Sequence, residues 1–153
     1  MQSRYTVQSW RADGLSLCAR DYSPLAEVKK LPVVCLHGLT RNSKDFDRLA
    51  GWLIARGHRV VAPDIRGRGR SGYDLDPMRY VPATYAEDIA GLLETLGMDK
   101  AIFIGTSLGG IITMMLMARR PSMVAAAVLN DVGPEVSPAG LTRIASYAGK
   151  PAI

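Results

Sequence analysis

Residues 100–119 read Lys-Ala-Ile-Phe-Ile-Gly-Thr-Ser-Leu-Gly-Gly-Ile-Ile-Thr-Met-Met-Leu-Met-Ala-Arg. The run Lys100–Ile104 has the length of a buried strand, and Leu108–Arg119 is long enough for a helix. Between them lies Gly105-Thr106-Ser107-Leu108-Gly109, a G-x-S-x-G pentapeptide. A serine on a strand-to-helix corner lifts its hydroxyl above the end of a sheet, in a strained backbone conformation. The glycines two before and two after it are needed because a Cβ there would collide with the turn. In a chain with 15 glycines the pentapeptide also arises by chance, as a tight turn with an idle serine. Strand before and helix after make it read as a nucleophile elbow.

Outward from this corner, short apolar runs alternate with helical patterns. Arg4–Ala12 alternates as a strand, with Tyr5, Val7 and Ser9 on one face, and Asp13-Gly14 is a hairpin turn signal before a returning strand over Leu15–Asp21. A polar linker, Ser23–Lys30, leads to Leu31–Leu36, a nearly continuous apolar run suited to a strand covered on both faces. Ser43 is placed to cap a helix over Lys44–Arg56, with Phe46, Leu49, Ala50, Leu53 and Ile54 as its inward stripe. His58–Ala62 is a further strand, followed by a long glycine- and arginine-rich loop over Ile65–Pro82. Thr84-x-x-Glu87 forms a capping box for a helix reaching Leu96. Val124–Leu129 is another buried strand, and a last helix is placed around Leu141–Ala148.

Strand and helix alternating in this way predict an α/β fold: a mostly parallel sheet with an antiparallel N-terminal hairpin and helices on both faces. In such sheets functional groups gather beyond the carboxyl ends of the strands. His37, Asp64, Ser107 and Asp131 fall there, whereas His58 falls at an amino end. The division expected is a core over residues 1–134 and, over 135–153, the start of a cap region or a C-terminal tail.

Composition narrows the function classes. The chain has 153 residues, 48% hydrophobic and 22% charged, enough for one buried core. No apolar run reaches the ~18–20 residues of a membrane span, and the first residues lack the apolar stretch of a signal peptide, so no membrane partner is expected. The net charge is +5, densest at Arg66, Arg68 and Arg70, but aromatics do not accompany it and nucleic acid is not an expected partner. Cys18 and Cys35 lie inside strand-like runs without metal-ligand spacing; they read as buried thiols in a reducing compartment, and the expected location is cytoplasmic. GRGRSG at Gly67–Gly72 lacks the glycine spacing of a phosphate-binding loop or a dinucleotide fingerprint, and no cofactor or metal is implied.

Three segments together resemble the α/β-hydrolase family: His37-Gly38-Leu39 its HG-x oxyanion segment, Pro63–Gly72 (PDIRGRGRSG) its D-x-R-G-x-G-x-S loop, and Gly105–Gly109 its nucleophile elbow. They come in the family's order, and the likeness covers the N-terminal half of a typical member, so that the fold expected is a truncated α/β-hydrolase core. The resemblance implies a serine hydrolase acting on an ester or other acyl or carbonyl small molecule. Ser107 would be the nucleophile, and the backbone N–H groups of Leu39 and Leu108 would hold the oxyanion. It assigns His37 to shaping the oxyanion loop; as base, His37 would be atypical although it stands on the correct side of the sheet. The base is expected instead from a histidine outside this chain, in a missing C-terminal half or a second chain that also supplies the acid. Asp131 could orient that histidine, as in some members, or could simply form a turn or cap a helix. Two other readings stand beside the hydrolase: a non-catalytic truncated relative that binds through an exposed sheet edge, and an acyltransferase on the same scaffold. The last strand is expected to be an open, two-faced apolar edge that aggregates unless covered.

Overall fold

The computed structural model describes residues 5–24, 26 and 30–148. Arg4 of the expected first strand, part of the linker Ser23–Lys30, and the tail beyond Ala148 lie outside them. Six strands form one sheet: β1 (Thr6–Ala12), β2 (Leu15–Tyr22), β3 (Val33–Leu36), β4 (Val60–Pro63), β5 (Ala101–Thr106) and β6 (Val124–Asn130). Their order across the sheet is β1-β2-β4-β3-β5-β6. The β1–β2 and β2–β4 pairs are antiparallel, and the pairs from β4 through β6 are parallel. The Asp13-Gly14 turn carries φ of 51° and 80°, the two positive values a two-residue hairpin needs.

Successive residues of a strand face opposite sides, so the short central strands supply two cores at once. Val34, Leu36, Val61 and Phe103 face α2 (Pro82–Thr95) and α3 (Leu108–Arg119). Val33, Cys35, Val60 and Ala62 face α1 (Asp47–Ile54) through Phe46, Ala50 and Leu53. Helices thus cover both sides of β3, β4 and β5, as the apolar runs require. A last helix, α4 (Pro138–Tyr147), follows β6.

Several local expectations are corrected. The alternation of β1 left its buried face open, and it is the face of Trp10, which is 4% exposed and whose indole N–H donates to the carbonyl of Asp88 at 3.0 Å, while Val7 is 46% exposed. Ser43 does not cap the next helix. Asn42 does so, its Oδ1 accepting from Lys44 N–H at 3.0 Å, and a 3-10 turn over Ser43–Phe46 precedes α1. The Thr84–Glu87 capping box is unused, because α2 starts at Pro82, where a proline's fixed φ suits the first helical position. Glu87 instead accepts from Arg120 Nη2 at 2.8 Å.

Among the described residues β6 is an open edge and not the buried strand its apolar run suggested: none of its residues is buried, and Val128 is 53% and Leu129 38% exposed, because no further strand or helix covers that side.

Candidate active site

β5 delivers the chain to Ser107 and α3 carries it away. Ser107 has φ 51° and ψ −115°, a positive φ that L-residues rarely adopt. The corner is held on three sides. Ser107 N–H donates to Asn130 O of β6 at 3.0 Å, and Ser107 O accepts from Gly110 and Ile111 N–H in the first turn of α3. A Cβ on Gly105 would run into the backbone of Gly109, and one on Gly109 into the carbonyl of Leu36. The helix therefore packs directly on β3 and β5, which fixes where the hydroxyl emerges.

It emerges at a cavity of about 340 Å³ beyond the carboxyl ends of β3 and β5, lined among others by Gly38, Leu39, Phe46, Ser107 and Ile144. Leu39 and Ser107 share this cavity because β3 and β5 are adjacent and parallel, so that both segments leave the same end of the sheet. Leu108 is the first residue of α3, and its N–H has no acceptor within the helix. The partial positive charge of a helix N-terminus adds to it there.

His37 is buried, 1% exposed, with both ring nitrogens engaged. Nδ1 bonds Gly38 O at 2.8 Å and Nε2 bonds Ile65 N–H at 3.0 Å. Since an amide N–H can only donate, Nε2 accepts and Nδ1 carries the proton. Burial pushes the imidazole below its ordinary value, although the Gly38 carbonyl opposes that. This is a neutral ring with no free nitrogen for Ser107, which removes His37 from consideration as base. It shapes the loop instead: Gly38 O also accepts from Arg41 N–H at 3.1 Å, and fixing that carbonyl fixes the plane that carries Leu39 N–H. His58 bonds Leu31 O at 2.9 Å, at the amino end of β3 and away from the cavity.

Asp64 receives Ser43 N–H at 2.8 Å and Arg70 N–H at 3.0 Å, the backbone role its loop position suggests. Asp131 follows β6, is exposed and has φ 56°. That left-handed conformation is one aspartate tolerates in turns, and Asp131 is not among the residues lining the cavity.

Sequence reading did not bring out the ion pairs of the arginine-rich loop or of the cavity. Arg41 and Asp45 form a bidentate pair at its rim, 2.7 and 2.8 Å; the signal was their i,i+4 spacing. The arginine-rich loop is anchored by Arg66, which is fully buried and meets Asp88 through two bonds of 2.9 and 2.7 Å, Asp74 at 2.6 Å and Asp13 at 2.7 Å. Burial opposes the charge of Arg66, but Asp88 and Asp13 outweigh it and hold the guanidinium more firmly protonated than usual. Burial also raises Asp88 above the ordinary carboxylate value despite Arg66. Among the described residues, no cluster of His, Cys, Asp and Glu is arranged to hold a metal, and no helix is long and apolar enough to cross a membrane.

A mostly parallel sheet flanked by helices, with a strained serine at the end of β5 and an HG loop at the end of β3, defines a class. The sequence profile of the alpha/beta hydrolase fold matches residues 32–150, and the chain belongs to that family. It is similar to the 3-hydroxybutyrate-oligomer hydrolase of Cupriavidus necator, 44% identical over 119 residues, covering 78% of this chain and 40% of that protein. It is also similar to a bifunctional esterase/perhydrolase of Acinetobacter calcoaceticus, 35% identical over 144 residues, covering 86% of this chain and 48% of the relative. A crystal structure of an alpha/beta hydrolase from Novosphingobium aromaticivorans superposes with a TM-score of 0.89 at 49% identity, covering 98% of this chain and 52% of the other. The chain spans about half the length, or less, of these relatives.

Proposed function

We propose that this chain carries the nucleophile and oxyanion hole of a serine hydrolase acting on a small ester or related acyl compound. The observation that carries the reading is the backbone of Ser107, φ 51° and ψ −115°, at a strand-to-helix corner opening on the cavity it shares with Leu39. Strain of about 1–3 kcal/mol persists only where the surroundings enforce it, and here they aim one hydroxyl at the cavity.

In this reading Ser107 Oγ attacks the acyl carbon while its proton passes to a histidine base. The carbonyl oxygen takes up the electron pair and is met by Leu39 N–H and Leu108 N–H. The bond to the alcohol breaks as the base returns the proton, and water then cleaves the acyl-enzyme. Both histidines of this chain are otherwise engaged, so the base is assigned to a part of the whole protein beyond these residues. The acid is assigned there too, with Asp131 the candidate this chain offers. The names of the relatives, a 3-hydroxybutyrate-oligomer hydrolase and a bifunctional esterase/perhydrolase, support an ester as the substrate class. Free Cys18 and Cys35, the latter pushed up to about 12 by burial, fit a reducing cytoplasmic setting.

The test is active-site labelling of the full-length protein with a fluorophosphonate, alongside hydrolysis of p-nitrophenyl butyrate. Ser107 should be the labelled residue, and Ser107→Ala should abolish both labelling and turnover. Turnover that survives Ser107→Ala would sink the assignment.

A further inference from the structure

One residue of the arginine-rich loop reaches the Leu39 segment. Arg68 Nε donates to the carbonyl of Leu39 at 3.0 Å. Its Nη1 donates to Arg66 O at 2.8 Å and to Tyr85 Oη at 3.1 Å, and the guanidinium lies 5.2 Å from the centroid of the Tyr85 ring. Both anchors are themselves fixed. Arg66 is buried among three aspartates, and Tyr85, 2% exposed, belongs to α2. A guanidinium is a planar fork of donors in fixed relation, so locking one arm sets the direction of the other.

The consequence falls on Leu39. The peptide before it is held through Gly38 O by His37 and Arg41 N–H. The peptide after it is held through its own carbonyl by Arg68. With two soft dihedrals per residue, pinning the planes on both sides of one Cα leaves that residue little freedom. An oxyanion donor is effective because it is already in place when charge develops.

We propose that Arg68 is a positioning residue for the Leu39 amide: it holds the oxyanion loop in its working orientation from outside the cavity. The role rests on the serine-hydrolase reading above. It separates Arg68 from its neighbours, since Arg66 is occupied by carboxylates and Arg70 is exposed, with Tyr5 Oη 3.4 Å from its Nη2.

The experiment compares wild type, Arg68→Met, Arg68→Lys and Tyr85→Phe in the full-length protein. The rate of fluorophosphonate labelling at Ser107 is measured, together with kcat and KM on p-nitrophenyl butyrate per labelled site. Removing an oxyanion donor outright costs ~10²–10³ in rate, so displacing one should cost about tenfold or more in Arg68→Met, in kcat and labelling rate, with KM nearly unchanged. Arg68→Lys should recover part of the loss, since an ammonium can reach the Leu39 carbonyl but cannot hold all three acceptors. Tyr85→Phe should move the rates in the same direction by less. A per-site rate in Arg68→Met within twofold of wild type overturns the proposal, as does a loss seen only as fewer labelled sites. If Arg68→Met fails to fold, Arg68→Lys and Tyr85→Phe are judged by the same per-site criterion. Wild-type protein unlabelled at Ser107 but hydrolytically active would instead overturn the serine reading, and this proposal with it.

Discussion

Ser107 keeps a side chain where glycine would be at ease, and this separates stability from activity at one position. The pair φ 51°, ψ −115° is open to glycine, so Ser107→Gly should raise stability by about 1 kcal/mol while removing the proposed nucleophile. Urea midpoints and phosphonate labelling of the full-length protein measure the two effects independently; a destabilised Ser107→Gly would mean the backbone is not strained. His37 provides a pH-dependent counterpart. Its folded value lies below the ordinary 6.5, so below that pH the unfolded chain binds the extra proton and the folded chain resists it. Stability contributed by the neutral ring is full above about pH 6.5 and declines as the pH falls beneath it. His37→Asn should flatten the stability profile between about pH 5 and 7, as read from unfolding midpoints. The serine and its glycines were legible because a motif needs only local spacing. The tautomer of His37 was not, since it depends on Ile65, 28 positions away.

At the level of elements, alternation and a turn signal located β1 and β2, apolar runs located the other strands, and α3 agreed with its expected bounds. The starts of α1, α2 and α4 were read less well, α4 beginning at Pro138, three residues before its expected place. At α2 the choice lay between proline at the first helical position and a capping box two residues later, and proline prevailed. Thr84→Ala should accordingly change stability by less than about 0.5 kcal/mol, whereas Asn42→Ala should cost about 1 kcal/mol. Thermal unfolding of the two variants checks this, and a larger effect at Thr84 would reinstate the capping box. Which face of β1 is buried was left open for a related reason. Alternation alone suits either face, and Trp10 decided it by reaching the carbonyl of Asp88 on α2.

On the scale of the whole molecule, Arg66 joins parts that are remote in sequence: the β1–β2 turn through Asp13, the loop through Asp74 and α2 through Asp88. Arg79 adds a second cation, paired with Asp13 and, at 3.3 Å, with Asp74. Burying a charge is unfavourable unless it is fully paired, and removing one partner leaves the others exposed to that cost. Arg66→Met should destabilise by about 3–5 kcal/mol, more than any other single arginine substitution, in thermal or urea unfolding. A loss under about 1 kcal/mol would show the carboxylates to be well solvated without it. The partners of Arg66 were not legible beforehand, because the aspartates stand 53, 8 and 22 positions from it and only the fold gathers them.

The segment from Ile65 to Gly72 has the composition of a mobile linker, yet it is built of turns whose amides are mostly hydrogen-bonded. Ile65 N–H goes to His37, Gly67 to Gly72 O, Arg68 to Ile65 O, Arg70 to Asp64, Ser71 to Arg68 O and Gly72 to Ser16 O. Amides held in this way exchange with deuterium only when the structure carrying them opens. This glycine-rich segment should therefore share the slow solvent-exchange clock of β3 and β4, hours behind ordinary surface loops. The support behind His37 and Leu39 would then stay shaped between one visitor and the next.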